Sequence, residues 1–572
     1  MDVFTPANRF ASILLVGIGI LTAILVGFPT SIVLRDYPVQ SLIAIQSMNM
    51  FAVTYLIWMA LISLALLTTR GEQTSDWYYL VIILLFSIVN IEFWTIKRPL
   101  GLDGDPLFQI AGAKYLLANG HLVQPTAGVT AYYDFPGLAF IAVAISQILH
   151  LSFISVEVDV AFIQGLFFPL VVYVLFNRYT HDKFLATLGV MFAIFGNILL
   201  GSYNNYHPSS LGLLVFLPLV LLQIQLVYEG THKTKMYLLL ILSFFAVVIS
   251  HFITSALIVF IIFSVYIWKK NTPKLFLMTI FVVFGTWLVY SEVTFGSVIY
   301  TIIQGASDLT TGWLAYLSLG INSRIGQRVP YWVSVDTLFW LVFVYGLPLI
   351  ISLHELLVLR KTRIEVVQLG AVILLVVLTL IPYPTGVQIE RFFIYAPFFT
   401  IPILIKTEII RRISFRTFGV LLVILLVALS FPTFLVQNSD VSINTLYQSD
   451  VNGALFLSRG FGSGAGLSIY SNQNSVYEYF LPMAANYYVT EFTYTSPNPR
   501  QLLIDSLNSL LSGFVSSHEE SVFVYSKWFM IFPHHYLGIS NNDPIWTNLY
   551  ENLSLSNLIY ESSGNSIAIY YK

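Results

Sequence analysis

The chain has 572 residues: 57% are apolar, 16% aromatic and only 10% Asp, Glu, Lys or Arg, with a formal net charge of -2 and no cysteine. A soluble domain carries about 25% charged residues, so a soluble multidomain enzyme is excluded. So are a basic nucleic-acid surface, a disulfide scaffold and thiol chemistry. With a mean hydropathy of +0.79, the class that remains is a polytopic α-helical membrane protein.

A hydrocarbon core of about 30 Å needs about 20 apolar residues per helix. Such runs predict spans near 10–34, 43–68, 77–96, 136–154, 158–177, 184–203, 210–228, 236–268, 274–293, 332–357, 366–383, 392–405 and 417–436, about 13 transmembrane segments. Span 10–34 is too long for a cleaved signal peptide. The run 236–268 is too long for one crossing and is interrupted by Ser250-His251. Lys233 and Lys235 flank one end, Lys269 and Lys270 the other. It reads as two short helices forming a hairpin with both ends cytoplasmic.

Short basic loops mark the cytoplasmic side. Those carrying Arg178 and Lys183, Lys233 and Lys235, Lys269 and Lys270, Arg360, Lys361 and Arg363, and Lys406, Arg411, Arg412 and Arg416 form a consistent set. Segments 203–209, 294–331, 384–391 and everything after 436 then lie outside. Counted forward from the N-terminus, Arg70 falls inside and 97–135 outside. The two assignments disagree by one crossing within 136–177. Span 136–154, short and broken by Ser146, Gln147 and His150, is the suspect.

Three divisions follow: 1–76 with two N-terminal transmembrane helices, 77–436 as a transmembrane module with outer loop 97–135, and 437–572 as an extracytoplasmic domain. Within the outer loop, 106–118 has an amphipathic pattern expected to lie at the interface. The tail has soluble composition. Strand-like runs at 466–470, 521–525 and 566–570 alternate with a helical run at 500–514, which reads as a small C-terminal α/β domain.

Charges near a bilayer are costly and concentrate at functional sites. The richest cluster is in the first outer loop: Arg98, Asp103, Asp105, Lys114, His121, then Tyr132-Tyr133-Asp134-Phe135-Pro136-Gly137. Asp103 and Asp105 follow a membrane exit. A carboxylate there can act as general base toward a hydroxyl, the pair can hold a divalent cation such as Mg or Mn, or Asp-Gly can simply mark a turn. A second cluster, Glu390-Arg391, enters a helix from outside. An Arg fork grips phosphate oxygens, and equally can snorkel to headgroups beside Glu390. His207, in Tyr203-Asn-Asn-Tyr-His-Pro208, can orient a sugar or phosphate, or belong to a turn. His251, with Thr254 and Ser255, reads as interhelical glue. The outer loop 294–331 carries Asp308, Arg324 and Arg328, either as a lid or as an interfacial helix. There is no Walker loop, no Rossmann fingerprint and no His-Glu-x-x-His.

The stretch Gly104-Asp105-Pro-Leu-Phe-Gln-Ile-Ala-Gly-Ala-Lys-Tyr-Leu-Leu-Ala-Asn-Gly120, followed by Tyr132-Tyr-Asp-Phe-Pro-Gly137, resembles the first outer loop of GT-C membrane glycosyltransferases. These include protein O-mannosyltransferases, aminoarabinose transferases and oligosaccharyltransferases. The hairpin with its polar break is similar to theirs as well. The resemblance puts the catalytic acid on Asp105 rather than Asp103. The chain departs from the pattern in having two extra N-terminal spans before the acidic loop. It also has Phe135 where aminoarabinose transferases commonly carry Lys, which moves the phosphate role to Arg391. The oligosaccharyltransferase Trp-Trp-Asp signature is absent, which disfavours asparagine as acceptor.

The resemblance implies an inverting glycosyltransferase in the cell membrane. It would use a polyprenyl-phosphate-linked donor and a protein, lipid or glycan acceptor, and require no cofactor. Asp105 is the expected base, with Asp103 beside it. Arg391, Glu390, Asp134, His207, Arg328 and Tyr133 are the expected substrate-binding residues. If a metal is used, Asp103 and Asp105 are its ligands. The alternatives are a flippase for lipid-linked glycans, a polysaccharide polymerase or ligase, and an interaction protein anchored by its helices.

Overall fold

The computed structural model describes residues 6–27, 49–68, 75–92, 104–122, 135–199, 211–229, 233–269, 273–291, 350, 395, 398–399 and 401–402. In the C-terminal region it describes 456–460, 468–471, 486–489, 508–512, 514, 521–526, 553, 557–561 and 567–571.

The helices in chain order are α1 (Pro6–Gly27), α2 (Asn49–Thr68), α3 (Asp76–Ser87, continued by a π turn Ile88–Glu92), α4 (Gly104–Asn119), α5 (Gly137–Leu149) and α6 (Phe153–Thr180). They continue with α7 (Lys183–Leu199), a π turn Leu211–Phe216 leading into α8 (Leu217–Glu229), α9 (Lys233–Val248), α10 (Phe252–Lys269) and α11 (Lys274–Tyr290). Among the described residues one helix, over Ser155–Thr180, is long and apolar enough to cross a membrane, and nine shorter apolar helices accompany it. Most of the large apolar core joins α1–α3 to α6–α11 and to Tyr395, Phe398, Phe399 and Ile401. Polar bonds inside it tie the first helices together. Trp58 Nε1 donates to Thr22 Oγ1 at 2.8 Å, and the Tyr55 hydroxyl donates to Asn90 Oδ1.

Local chemistry sets the helix ends. Pro106 sits in the first turn of α4, where a missing N–H costs nothing. Gly120 ends that helix at φ 71, its N–H returning to the Leu116 carbonyl at 2.9 Å. Ser152 caps α6, its Oγ accepting from the Ser155 N–H at 3.2 Å. His181 closes α6 in the left-handed region, and Asp182 Oδ1 accepts from the Leu185 N–H in the first turn of α7.

The expected hairpin is α9–α10, turning at Ile249–His251. This turn defines one end of the bundle, the tip end. Gly137, at the start of α5, donates its N–H to the Ile249 carbonyl at 2.9 Å. Leu138 and Leu211 share a buried cluster with Val156 and Val160, so α6 also starts at the tip end. It finishes at the opposite end, where Lys183 pairs with Asp76, the first residue of α3, at 2.7 Å. The suspect span 136–154 corresponds to α5. α5 has 13 residues, about 20 Å at 1.5 Å per residue, too short for a core of about 30 Å. It starts at the tip end and leads into α6 at that same end. Counting it as no crossing would bring the two assignments into agreement; the Asp76–Lys183 pair joins the starts of α3 and α7.

In the C-terminal region the strands are β1 (Ser468–Ser471), β2 (Asn486–Val489), β3 (Ser521–Ser526), β4 (Asn557–Glu561) and β5 (Ile567–Tyr571). They form a mixed sheet in the order β2-β1-β3-β5-β4. β1 runs parallel to β2 and β3; β5 runs antiparallel to β3 and β4. Three of these strands match the expected runs within two residues; β2 and β4 are additional. Alternation gives the sheet two buried faces. Tyr470 and Phe523 pack on Phe514. Ile469, Val522, Val524 and Ile569 join the cluster built by Ile110 and Ala113 of α4, Leu138 and Ala142 of α5 and Val156 and Val160 of α6. The boundary expected at 436/437 lies outside the described residues.

Candidate functional site

The polar centre of the described structure is the hairpin tip. His251 stands at the N-cap of α10, and its Nδ1 accepts the Thr254 N–H at 3.4 Å. Nδ1 also lies 2.9 Å from Thr254 Oγ1. With Nδ1 accepting, the neutral ring carries its proton on Nε2. The Tyr395 hydroxyl completes a triangle, 2.9 Å from Thr254 Oγ1 and 3.3 Å from His251 Nδ1. Below it, Ser250 Oγ donates to the Ala246 carbonyl at 2.6 Å.

Two glycines press against this tip. A Cβ at Gly137 would stand 2.5 Å from Ser250 Oγ and 3.1 Å from the Ile249 carbonyl oxygen. A Cβ at Gly212 would stand 2.8 Å from His251 Cβ and 3.2 Å from Thr254 Oγ1. Both positions therefore require glycine for close backbone approach. Gly137 ends the Tyr-Tyr-Asp-Phe-Pro-Gly stretch, and Gly212 lies in the π turn that follows the His207 segment. Such turns often mark functional positions. The tip thus joins elements that begin just after three of the polar clusters read from the sequence.

Of the expected site residues, Asp105 is the second residue of α4, where an acid also favours the helix N-terminus; its side chain lies outside the described residues. Asp103, Tyr133, Asp134, His207, Arg328, Glu390 and Arg391 lie outside them too. The buried stretch of α4 covers Gln109–Ala113, and the helix packs on α5 and α6. Lys114 follows it, half-buried, and burial pushes its ammonium below the usual lysine range. Among the described residues no group of three or more His, Cys, Asp or Glu is placed to hold a metal.

Two polar residues escaped the sequence reading. Tyr395 sits in an apolar run and finds its partners across 141 and 144 residues. Glu157, in the second turn of α6, is 4% exposed and its Oε2 has no hydrogen-bond partner. Gln164, two turns along the same face, has an unpartnered Nε2. A carboxyl in an apolar span is a signal, and Asp159 follows two residues later. Starting the span at 158 leaves Glu157 in the preceding loop, whereas Ser152 starts the helix earlier.

No protein-family description and no curated protein sequence matches this chain. Among solved structures it is similar to the Archaeoglobus fulgidus oligosaccharyltransferase tethered with an acceptor peptide containing the NVT sequon. The two are 12% identical over 88% of this chain and 74% of that one, with a TM-score of 0.50. It also aligns with ArnT from Cupriavidus metallidurans, both apo and bound to undecaprenyl phosphate. Each of those is 10% identical over 86% of this chain and 97% of the other, with a TM-score of 0.49. The likeness to the oligosaccharyltransferase is one of fold. It meets the GT-C resemblance read from the outer loop.

Proposed function

We propose that this chain is an integral-membrane glycosyltransferase that moves a sugar from a polyprenyl-phosphate carrier to an acceptor hydroxyl at the outer face, with inversion at C1. The observation that carries this reading is the meeting at the hairpin tip of elements that begin just after three polar clusters. Asp134 precedes Gly137 by three residues, His207 precedes Gly212 by five and Arg391 precedes Tyr395 by four. A chain spans at most about 3.6 Å per residue, so five residues reach no farther than about 18 Å. In this reading the clusters gather at that end of the bundle. Asp105 opens the helix that packs beside Leu138 and Leu211, the neighbours of the two tight glycines. The shared fold with a membrane glycosyl-transferring enzyme supports the reaction class.

In this reading the tip end faces outward, the Asp76–Lys183 end faces the cytoplasm, and the sheet is extracytoplasmic. The carrier's lipid tail stays in the bilayer with its phosphate at headgroup level. Asp105 accepts the acceptor's proton as that oxygen bonds to C1. The bond from C1 to the phosphate oxygen breaks and the electron pair leaves with the phosphate. Arg391 and Arg328 neutralise that charge. Attack opposite the leaving group inverts C1. Tyr133, Asp134 and His207 hold the sugar, Glu390 pairs with Arg391, and Asp103 supports Asp105. A lipid phosphate leaves readily without a metal; where a divalent cation is used, Asp103 and Asp105 hold it.

The test uses purified protein in nanodiscs with a panel of polyprenyl-monophosphate hexoses as donors and peptide, glycan and lipid hydroxyls as acceptors. Wild type should release polyprenyl phosphate. Asp105→Asn should lose at least about 10²-fold of that turnover, the scale of a general base, while still binding the carrier lipid. Unchanged turnover in Asp105→Asn sinks the assignment. Translocation of intact donor without cleavage would replace the transferase reading with a flippase.

A further inference from the structure

The triangle at the hairpin tip contains more than α10 needs for capping. His251 achieves the cap through the Thr254 N–H alone. The Tyr395 hydroxyl adds contacts at 2.9 Å and 3.3 Å from a segment far along the chain. Tyr395 is 2% exposed and Thr254 0%, so water does not compete for the bond between their hydroxyls. The third side is closed by Gly212, which leaves no room for a side chain against His251 and Thr254. Three residues after Tyr395, Phe398 packs edge-on against Phe168 of α6 at 5.7 Å. Apolar packing therefore holds the segment in place, and the hydroxyl adds a fixed polar point.

We propose that Tyr395 is a positioning residue. Its hydroxyl latches the segment carrying Glu390 and Arg391 to the hairpin tip, and so sets the grip on the carrier phosphate. This rests on the reading of Arg391 as a phosphate-binding residue. The latch is a hydroxyl held by two partners, and Arg391 lies four positions before it along the chain. Tyr395→Phe keeps the ring in the core and removes only the latch. Thr254→Ser keeps a hydroxyl at the partner, while Thr254→Val removes it at nearly constant shape.

The experiment measures affinity for a polyprenyl monophosphate in nanodiscs, deuterium uptake and melting temperature. It uses the full-length chain as wild type, Tyr395→Phe, Thr254→Val, their double variant, Thr254→Ser and Arg391→Ala. Tyr395→Phe and Thr254→Val should each weaken affinity about 3- to 10-fold, the range of one hydrogen bond. Both should raise uptake in peptides covering 249–254 and 388–396. The double variant should be no weaker than the stronger single, because both remove one shared interaction. Thr254→Ser should bind like wild type. Raised uptake with unchanged affinity overturns the positioning role, as do unchanged uptake and full additivity. Arg391→Ala separates the two ideas. If it binds normally while Tyr395→Phe does not, the role of Arg391 falls and the latch stands. If it weakens binding and Tyr395→Phe does not, the latch falls and Arg391 stands.

Discussion

The two ends of the helical bundle are built differently. At the tip end, α5, the π turn before α8 and the Tyr395 segment meet the α9–α10 turn through glycine backbones and hydrogen bonds. At the opposite end the described polar link between α3 and α7 is the Asp76–Lys183 pair, whose side chains are 65% and 42% exposed. An exposed pair is worth about 0–1 kcal/mol and tolerates loss of either partner. A backbone approach that only hydrogen can occupy tolerates nothing larger. Geometric precision is thus concentrated at the hairpin tip, where the proposed transfer reaction needs its groups held.

This contrast can be broken at several points. The largest effect belongs to Gly137→Val and Gly212→Val, which force side chains into the tip. Each should cost about 1–3 kcal/mol of stability by overpacking and abolish sugar transfer. Transfer retained in both would show that the tip's shape is not what matters. Next is Glu157→Leu. Removing a buried carboxyl with an unpartnered oxygen relieves a penalty of about 1–3 kcal/mol, so the melting temperature should rise. A fall would mean that the carboxyl has a stabilising partner. Loss of transfer alongside the rise would mark Glu157 as a group kept for function at a cost in stability. Tyr55→Phe, which breaks the bond to Asn90 inside the bundle, should lower stability by about 0.6 kcal/mol, the mean for such bonds in membranes, and leave transfer intact. Lys183→Met should be the mildest, within about 1 kcal/mol, with transfer unchanged. A large effect there would erase the difference between the two ends.

Much of the fold was legible because it rests on local signals. Ser250-His251 breaks an apolar run too long for one crossing, and the chain turns there. Asp-Pro and Asn-Gly bracket α4 at both ends. Crossing parity was legible as a contradiction. The structure adds to it the length of α5, set by Pro136 at one end and His150 in the left-handed region at the other. What stayed hidden is non-local. β2 and β4 are short, and their pairing partners, not their own patterns, make them strands. Gly137 and Gly212 are ordinary glycines until the hairpin turn is packed against them. Tyr395 gains meaning only from Thr254 and His251, more than 140 residues away. The catalytic assignments to Asp105 and Arg391 rest on residue chemistry and resemblance, and they stand or fall by mutation.

The absence of cysteine makes one measurement especially clean. Cysteines placed pairwise at 134, 207 and 391 can be spin-labelled without background and their separations read by pulsed electron resonance. If the polar segments converge at the hairpin tip, all three pairs should give distributions centred below about 25 Å, consistent with tethers of three to five residues. A pair centred near or beyond about 40 Å, past what those tethers allow around one tip, would contradict a single site built there.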